Sequence, residues 1–130
     1  QFLIASSLIG VVAQRMVRRG CSYCATDAKP GVEERAVYEA EVGQPLETVK
    51  RGTGCNLCAE TGFLGRIGVY EVLLLNEDIR RLLLSGASAN AIREQAVADG
   101  MIPVRRDGML KVKQGIVTPA EILRSVYSIA

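Results

Sequence analysis

Cys21-Ser-Tyr-Cys24 and Cys55-Asn-Leu-Cys58 are the two segments that decide how this chain folds. In each segment, a spacing of two residues lets both sulfurs turn onto one metal ion. The chain has no histidine, so a mixed Cys/His site is excluded. Four thiolates around one Zn²⁺ leave no open coordination position, which makes such a site structural rather than catalytic. The sequence therefore predicts a structural zinc site formed by Cys21, Cys24, Cys55 and Cys58.

Other uses of four cysteines stay open at this point. An even number of cysteines would also fit two disulfides in a secreted domain, and paired cysteines can be redox-active or bind iron. The glycines beside the second pair favour a metal, because glycine lets backbone amides point at the sulfurs. We expect a reducing compartment and bound zinc.

Composition limits the remaining possibilities. The chain has 130 residues, of which 48% are hydrophobic and 23% charged, as in a globular protein of one or two small domains. The net charge of +2 gives no general attraction to nucleic acid or to a membrane surface. Tryptophan is absent, so stacking residues for single-stranded nucleic acid are few.

The first apolar segment, Phe2–Arg19, is predicted to be a buried helix, because its apolar residues recur at helical spacing on more than one face. The chain begins with Gln1 inside this apolar run, and we expect it to be a piece of a longer protein. A signal peptide over 2–13 is the alternative, but the positive flank that it needs is not visible. The run is too short and too broken by Ser and Gly to span a bilayer.

The expected fold class is α+β and mostly α, in three parts. Residues 1–19 supply the buried helix. Residues 20–75 form the zinc module, with a helix over Val32–Val42 and a short antiparallel β pair, for which 46–51 and 69–75 are the candidate strands.

Residues 76–130 are predicted to form a bundle of about four helices. Asn76 and Ser88 are expected N-caps of the first two, and Pro103 opens the third. Thr118-Pro-Ala-Glu121 is typical of a capping box with proline at the first helical position.

The sequence shows no recognisable set of catalytic residues. Without histidine there is no Ser/His or Cys/His nucleophile system. Arg66, between Gly65 and Ile67-Gly68, is either a surface arginine or one that a rigid turn presents to an anionic partner. The third predicted helix carries a basic cluster, which consists of Arg105, Arg106, Lys111 and Lys113. Its simpler interpretation is a solvent-exposed helix face.

Three separated segments resemble the type II secretion and type IV pilus assembly ATPases. Residues 13–24 (AQRMVRRGCSYC) are similar to the end of the core ATPase domain of that family, and 54–71 (GCNLCAETGFLGRIGVYE) to its second cysteine pair and the segment that follows. Residues 106–121 are similar to its C-terminal helices. One departure is that Ser22 and Asn56 stand where the family usually has proline.

This resemblance implies a hexameric, cytoplasmic P-loop ATPase that acts on an inner-membrane platform protein and is peripheral to that membrane through its partners. It implies that Arg66 faces a nucleotide site at a subunit interface, and that Gln14 and Arg15, which match the family's Gln-Arg pair, belong to the same interface. ATP and Mg²⁺ would bind only the parent protein, because the Walker motifs are not in this chain, and the chain alone should be inactive. The expected role is to brace subunit contacts and couple to the partner, without nucleic acid and without a membrane span.

Two other functions remain as alternatives. A free-standing zinc-ribbon module could bind nucleic acid through the basic helix, with a steep salt dependence. A rubredoxin-like electron carrier would hold iron and be red.

Overall fold

The computed structural model describes residues 6–127, which contain four strands and five helices. Along the chain, two strands, one helix and two more strands are followed by four consecutive helices. The strands are β1 (Gly10–Gly20), β2 (Ala25–Ala28), β3 (Val49–Gly52) and β4 (Phe63–Leu74), and the helices are α1 (Val32–Val42), α2 (Glu77–Leu84), α3 (Ala89–Ala98), α4 (Val104–Lys113) and α5 (Pro119–Ser125). This is an α+β fold, as the sequence predicts.

The strands form two separate two-stranded sheets. β2 and β3 are antiparallel, with Ala25 opposite Gly52 and Ala28 opposite Val49, and they are the short β pair that the sequence predicts. The pairing of 46–51 with 69–75 is wrong, since 70–74 end the long strand β4, whose partner is β1. Strand pairing joins residues far apart in the chain, so a local pattern indicates a strand but not its partner.

The described residues divide into two compact units. The cysteine unit contains 14–69 and 104–127, and the hairpin unit contains 6–13 and 70–103. Both β1 and β4 run through the two units, so the units do not follow chain order. The three-part division of the chain at residues 19 and 75 stays a prediction.

The cysteine unit has one apolar core, to which β1, β4 and three helices contribute. Helices α1, α4 and α5 pack on one another around it. Its fully buried members include Val17, Val69, Met109 and Ile122. Gly108 packs tightly here, because a Cβ at this position would lie 2.9 Å from the side chain of Ile122.

The hairpin unit has a smaller core between α2 and α3. Leu75, Ile79 and Ala96 are buried in it. The Asn76 side chain accepts a hydrogen bond from the Ile79 amide at 2.9 Å, and Ser88 accepts one from Ala91 at 3.2 Å. Both predicted N-caps are therefore confirmed. Such caps can be predicted from sequence because the capping residue and the amide that donates to it lie within one turn of helix.

The predicted buried helix over Phe2–Arg19 is wrong from residue 10 onwards. Residues 10–20 form strand β1, while Ser6 and Ser7 are helical and 2–5 lie outside the described residues. The strand is also mostly exposed. Val17 is buried, but Val12 is 63% exposed, and Ile9, the residue before the strand, is 81% exposed. An apolar run with β-branched residues fits either element, and here the hydrogen bonds to β4 decide for a strand.

No helix within residues 6–127 is both long enough and apolar enough to cross a bilayer.

Candidate metal centre

The two cysteine pairs meet because of the strands that flank them. Cys21 follows the last residue of β1, and Cys24 precedes the first residue of β2. Cys55 and Cys58 lie in the connection between β3 and β4. Strands β2 and β3 are hydrogen-bonded with Ala25 opposite Gly52. The end of the first cysteine pair, Cys24, is therefore held beside the start of the second pair, Cys55.

The four sulfurs form one compact cluster. They all lie within 4.8 Å of one another, with Sγ–Sγ distances of 3.8 Å for Cys21–Cys55, 3.8 Å for Cys24–Cys58 and 3.6 Å for Cys55–Cys58. A tetrahedron with Zn–S bonds of about 2.3 Å places its sulfurs about 3.8 Å apart. All four cysteines are free rather than disulfide-bonded. The residues present therefore fit a tetrahedral metal ion with four thiolate ligands.

Backbone amides point at these sulfurs, as the glycines beside the second pair predict. Gly54 donates to Cys24 Sγ and Gly62 donates to Cys58 Sγ, each at 3.3 Å. Such hydrogen bonds stabilise negative charge on sulfur. The glycines also allow close approach, because a Cβ on Gly52 would overlap the carbonyl group of Gly62.

The pKa values of the second pair move in opposite directions. Burial raises the pKa of Cys58, but hydrogen bonds from the Gly62 and Cys55 amides and from neighbouring thiols outweigh it and lower this pKa to about 6. At Cys55 the Cys58 backbone lowers the pKa, while burial and hydrogen bonds with the Cys58 and Cys21 thiols raise it to about 11. Cys58 ionises before Cys55, because the Cys58 sulfur accepts two amide hydrogen bonds.

The turn after the second pair has a backbone that the sequence does not reveal. Ala59 and Glu60 have φ values of 55° and 63°, in the left-handed region that non-glycine residues rarely occupy. The Glu60 amide donates to the Cys55 carbonyl at 2.8 Å, which helps to hold this turn closed around the cluster. Neither residue is of the type that usually marks such a conformation, so no sequence signal pointed to it.

The other predicted site residues lie on the two long strands. Arg66 is exposed on β4, one residue after Gly65, which has a φ of 78°. Two backbone hydrogen bonds, from Cys21 N to Gly62 O and from Leu75 N to Ile9 O, lie at the two ends of the β1–β4 pair. Between these two hydrogen bonds, β4 contains one residue more than β1. Because a left-handed glycine is typical of a bulge that takes up such an extra residue, we assign a bulge to Gly65 and Arg66.

Gln14 and Arg15 are exposed on β1. The Arg15 guanidinium donates to the Gln14 carbonyl at 2.9 Å, and the Gln14 amide contacts the Met16 sulfur at 3.3 Å. Both side chains are therefore open to solvent in the described chain, and their contacts are local ones.

On α4, the basic helix considered for nucleic-acid binding, two of the four cations have contacts within the chain. Lys111 pairs with Asp107 at 3.0 Å, and both side chains are largely buried. The Arg105 guanidinium lies 4.4 Å from the centre of the Tyr127 ring. These contacts favour a structural role for two of the four cations.

A buried carboxylate, which the sequence analysis missed, ties β1 to α5. Thr118 caps α5 as predicted, accepting from the Glu121 amide at 3.3 Å. The Glu121 side chain, 1% exposed, binds Arg18 and Arg124 at 2.8 and 2.7 Å, and it accepts from the Arg18 amide at 2.8 Å. Arg18 and Glu121 are 103 residues apart, so no local pattern could have paired them.

Acid should weaken the cysteine unit through this carboxylate. Burial raises the pKa of Glu121, but hydrogen bonds from Arg124 and Arg18 outweigh it and lower this pKa from 4.5 to about 2. A lowered folded-state pKa gives stability that is complete above about pH 5 and is lost as the pH falls towards 2. We expect the free energy of unfolding to lose about 3 kcal/mol from this group over that interval.

The measurement is the difference in free energy of unfolding between the natural chain and Glu121→Gln at a series of pH values. Metal content is measured on each sample, and only pH values at which both chains keep their metal are compared, so that the difference isolates the carboxylate. We expect it to be constant above pH 5 and to shrink below it; a difference independent of pH would contradict the lowered pKa.

Comparison with known proteins gives one consistent result. A family model described as "Type II/IV secretion system protein" matches residues 1–124. The type IV pilus assembly ATPase PilB of Thermus thermophilus is 41% identical over 125 residues, which are 94% of this chain and 14% of that protein.

Two further relatives come from secretion systems. The type II secretion system ATPase E of Vibrio cholerae is 37% identical over 95% of this chain and 24% of its own length. The type II secretion system protein HxcR of Pseudomonas aeruginosa is 39% identical over 95% of this chain and 22% of its own length. The chain therefore spans between 14% and 24% of the length of these relatives.

Proposed function

Because the chain belongs to the type II/IV secretion system protein family, we propose that it is the zinc-bound C-terminal region of an ATPase that powers type II secretion or type IV pilus assembly. Its role is structural: it braces contacts between subunits of a cytoplasmic hexamer and couples them to an inner-membrane platform protein. The relatives named as pilus and secretion ATPases support this assignment. Hydrolysis of ATP with Mg²⁺ belongs to the parent protein, and this chain alone is expected to have no turnover.

The observation that carries the proposal is the cluster of four sulfurs. Its spacing suits a tetrahedral ion, and such a site has no position left for substrate. When bound, the metal would supply a rigid link between the two cysteine pairs. The chain's own contribution is the set of amides from Gly54, Gly62 and Cys55 that hold the sulfurs in place.

Elemental analysis of reduced, purified chain tests the metal. We expect one zinc per chain and a colourless protein. A chain free of metal would contradict the structural site. One iron per chain, with a red colour, would instead favour the electron carrier, because iron also accepts four thiolates in a tetrahedron.

We further propose that Arg66 faces a nucleotide held by a neighbouring subunit, with Gln14 and Arg15 at the same interface. Support comes from the exposure of all three side chains and from the bulge that we assign at Gly65, which would fix the direction of Arg66. An arginine that meets phosphate charge only in the assembled enzyme need not have a partner within its own chain.

The intact ATPase provides the test of Arg66. We expect Arg66→Ala to lower ATP turnover at least tenfold, since an arginine at a transferred phosphate contributes strongly to its rate. Arg35→Ala, which removes an exposed arginine of α1, serves as the matched control. Equal turnover in the two variants, with unchanged zinc content, would contradict the interface role of Arg66.

A further inference from the structure

Three arginines on the long strands of the cysteine unit have no carboxylate partner. Arg15 and Arg19 belong to β1 and Arg66 to β4, and all three are exposed. Within residues 6–127, none of them takes part in an ion pair, and only the Arg15 side chain donates a hydrogen bond, to the Gln14 carbonyl. We name Arg15, Arg19 and Arg66 the arginine patch. Three unpaired cations on two neighbouring strands indicate a site for negative charge.

No acidic residue counters this charge along the two strands. Residues 10–26 and 61–70 contain neither Asp nor Glu. The Glu121 carboxylate reaches β1 from α5, but it is bound by Arg18 and Arg124 rather than by the arginine patch. The patch is therefore a local excess of positive charge in a chain whose net charge is only +2.

The backbone brings the members of the arginine patch into one stretch of the β1–β4 pair. A Cβ on Gly65 would lie 3.7 Å from Cδ of Arg19, so the aliphatic part of Arg19 passes over this glycine, and Arg66 is the next residue of β4. Arg15 and Arg19 lie two residues on either side of the buried Val17. Because side chains alternate along a strand, Arg15 and Arg19 leave β1 on the same side.

Charge and donor geometry define the class of ligand. A guanidinium presents planar pairs of N–H donors that match the oxygens of a phosphate group. A carboxylate has a single negative charge, whereas one phosphate group carries about two at neutral pH, and a chain of phosphates carries more. Three unpaired guanidinium groups therefore favour a chain of phosphates over a single carboxylate.

We propose that Arg19 joins Arg66 and Arg15 in binding the phosphate chain of a nucleoside triphosphate, and that this half of the site is already formed in the isolated chain. The inference rests on the proposed function, which directs Arg66 to a nucleotide of a neighbouring subunit, and it adds Arg19 as a further binding residue. Since none of the three arginines is ion-paired within residues 6–127, phosphate binding breaks no ion pair of theirs there.

The test is an NMR titration of the full, metal-loaded chain at low salt with ATP, AMP and adenosine, followed at the arginine Nε–H groups, with metal content measured afterwards. We expect saturable shifts at Arg19 and Arg66 with ATP, weaker binding of AMP and no shifts with adenosine. Arg19→Gln should weaken ATP binding about threefold, as for one exposed ion pair, and Arg19→Lys should restore part of it. Arg35→Gln, which removes an exposed arginine that follows two glutamates on α1, should leave binding unchanged.

Absence of saturable shifts at Arg19, or equal effects of Arg19→Gln and Arg35→Gln, would overturn the proposal, because ATP would then act as a general counter-ion. Turnover of the intact ATPase separates this inference from the proposed function. If Arg66→Ala lowers turnover but Arg19 of the isolated chain does not respond to ATP, only this inference is wrong. If the chain binds ATP at Arg19 and Arg66 while Arg66→Ala leaves turnover unchanged, the phosphate site is supported and the role of Arg66 at the subunit interface is wrong.

Discussion

Removal of the metal is expected to unfold most of the cysteine unit. Structural zinc sites contribute on the order of 10 kcal/mol of apparent binding free energy at neutral pH, which is comparable to the whole stability of a small domain. The metal would close the loop between Cys24 and Cys55, which contains β2, α1 and β3. Helices α4 and α5 share their core with α1, so they should lose their packing as well.

The hairpin unit should respond less. Its buried residues Leu75, Ile79 and Ala96 form an apolar cluster of their own. Amide hydrogen exchange before and after a thiol-competitive chelator, with metal content measured on the same sample, gives the result by segment. We expect protection to fall in 14–69 and 104–127 and to persist longer in 77–98, with recovery on adding Zn²⁺.

Single substitutions should reproduce the effect of the chelator. Cys58→Ser replaces a buried ligand, whereas Ser22→Ala changes a neighbour in the first pair that is exposed and supplies no sulfur. We expect only the first to abolish metal binding and protection. Full protection in a chain shown to be free of metal would mean that the apolar core alone holds this unit.

Local signals predicted the helix N-caps and the clustering of the four cysteines. Asn76, Ser88 and Thr118 cap helices where expected, because a cap acts on an amide two or three residues away. The cysteines came together as expected, because the spacing within each pair is itself the signal for a shared ion. In both cases the chemistry that fixes the structure is visible within a few residues.

Interactions between distant residues were not predictable in the same way. The apolar residues of β1 fit both the helical and the strand period, and only pairing with β4, more than forty residues away, decides for a strand. Glu121 was assigned to a capping box, but its side chain binds Arg18 instead of the Thr118 backbone amide. A buried charge is placed by its partners, and these come from the other end of the chain.

Substitution of Glu121 by glutamine is expected to cost about 3 kcal/mol, because removing one member of a buried ion pair leaves the other charges uncompensated. Gln keeps one acceptor oxygen, but its amide nitrogen would face the guanidinium donors of Arg18 and Arg124. Both arginines are about half exposed and can turn partly to water, which places the cost at the lower end for such groups. The Arg18 amide, which now donates to the carboxylate at 2.8 Å, should also exchange faster.

Urea unfolding of the metal-loaded chain, with hydrogen exchange of the Arg18 amide as a local probe, measures both effects. Glu33→Gln removes an exposed carboxylate from the first turn of α1 and is the matched control, with an expected cost below about 1 kcal/mol. If Glu121→Gln costs no more than Glu33→Gln, the contact between β1 and α5 is held by apolar packing. If the larger cost is found together with faster exchange at Arg18, the buried carboxylate fixes strand β1 against helix α5.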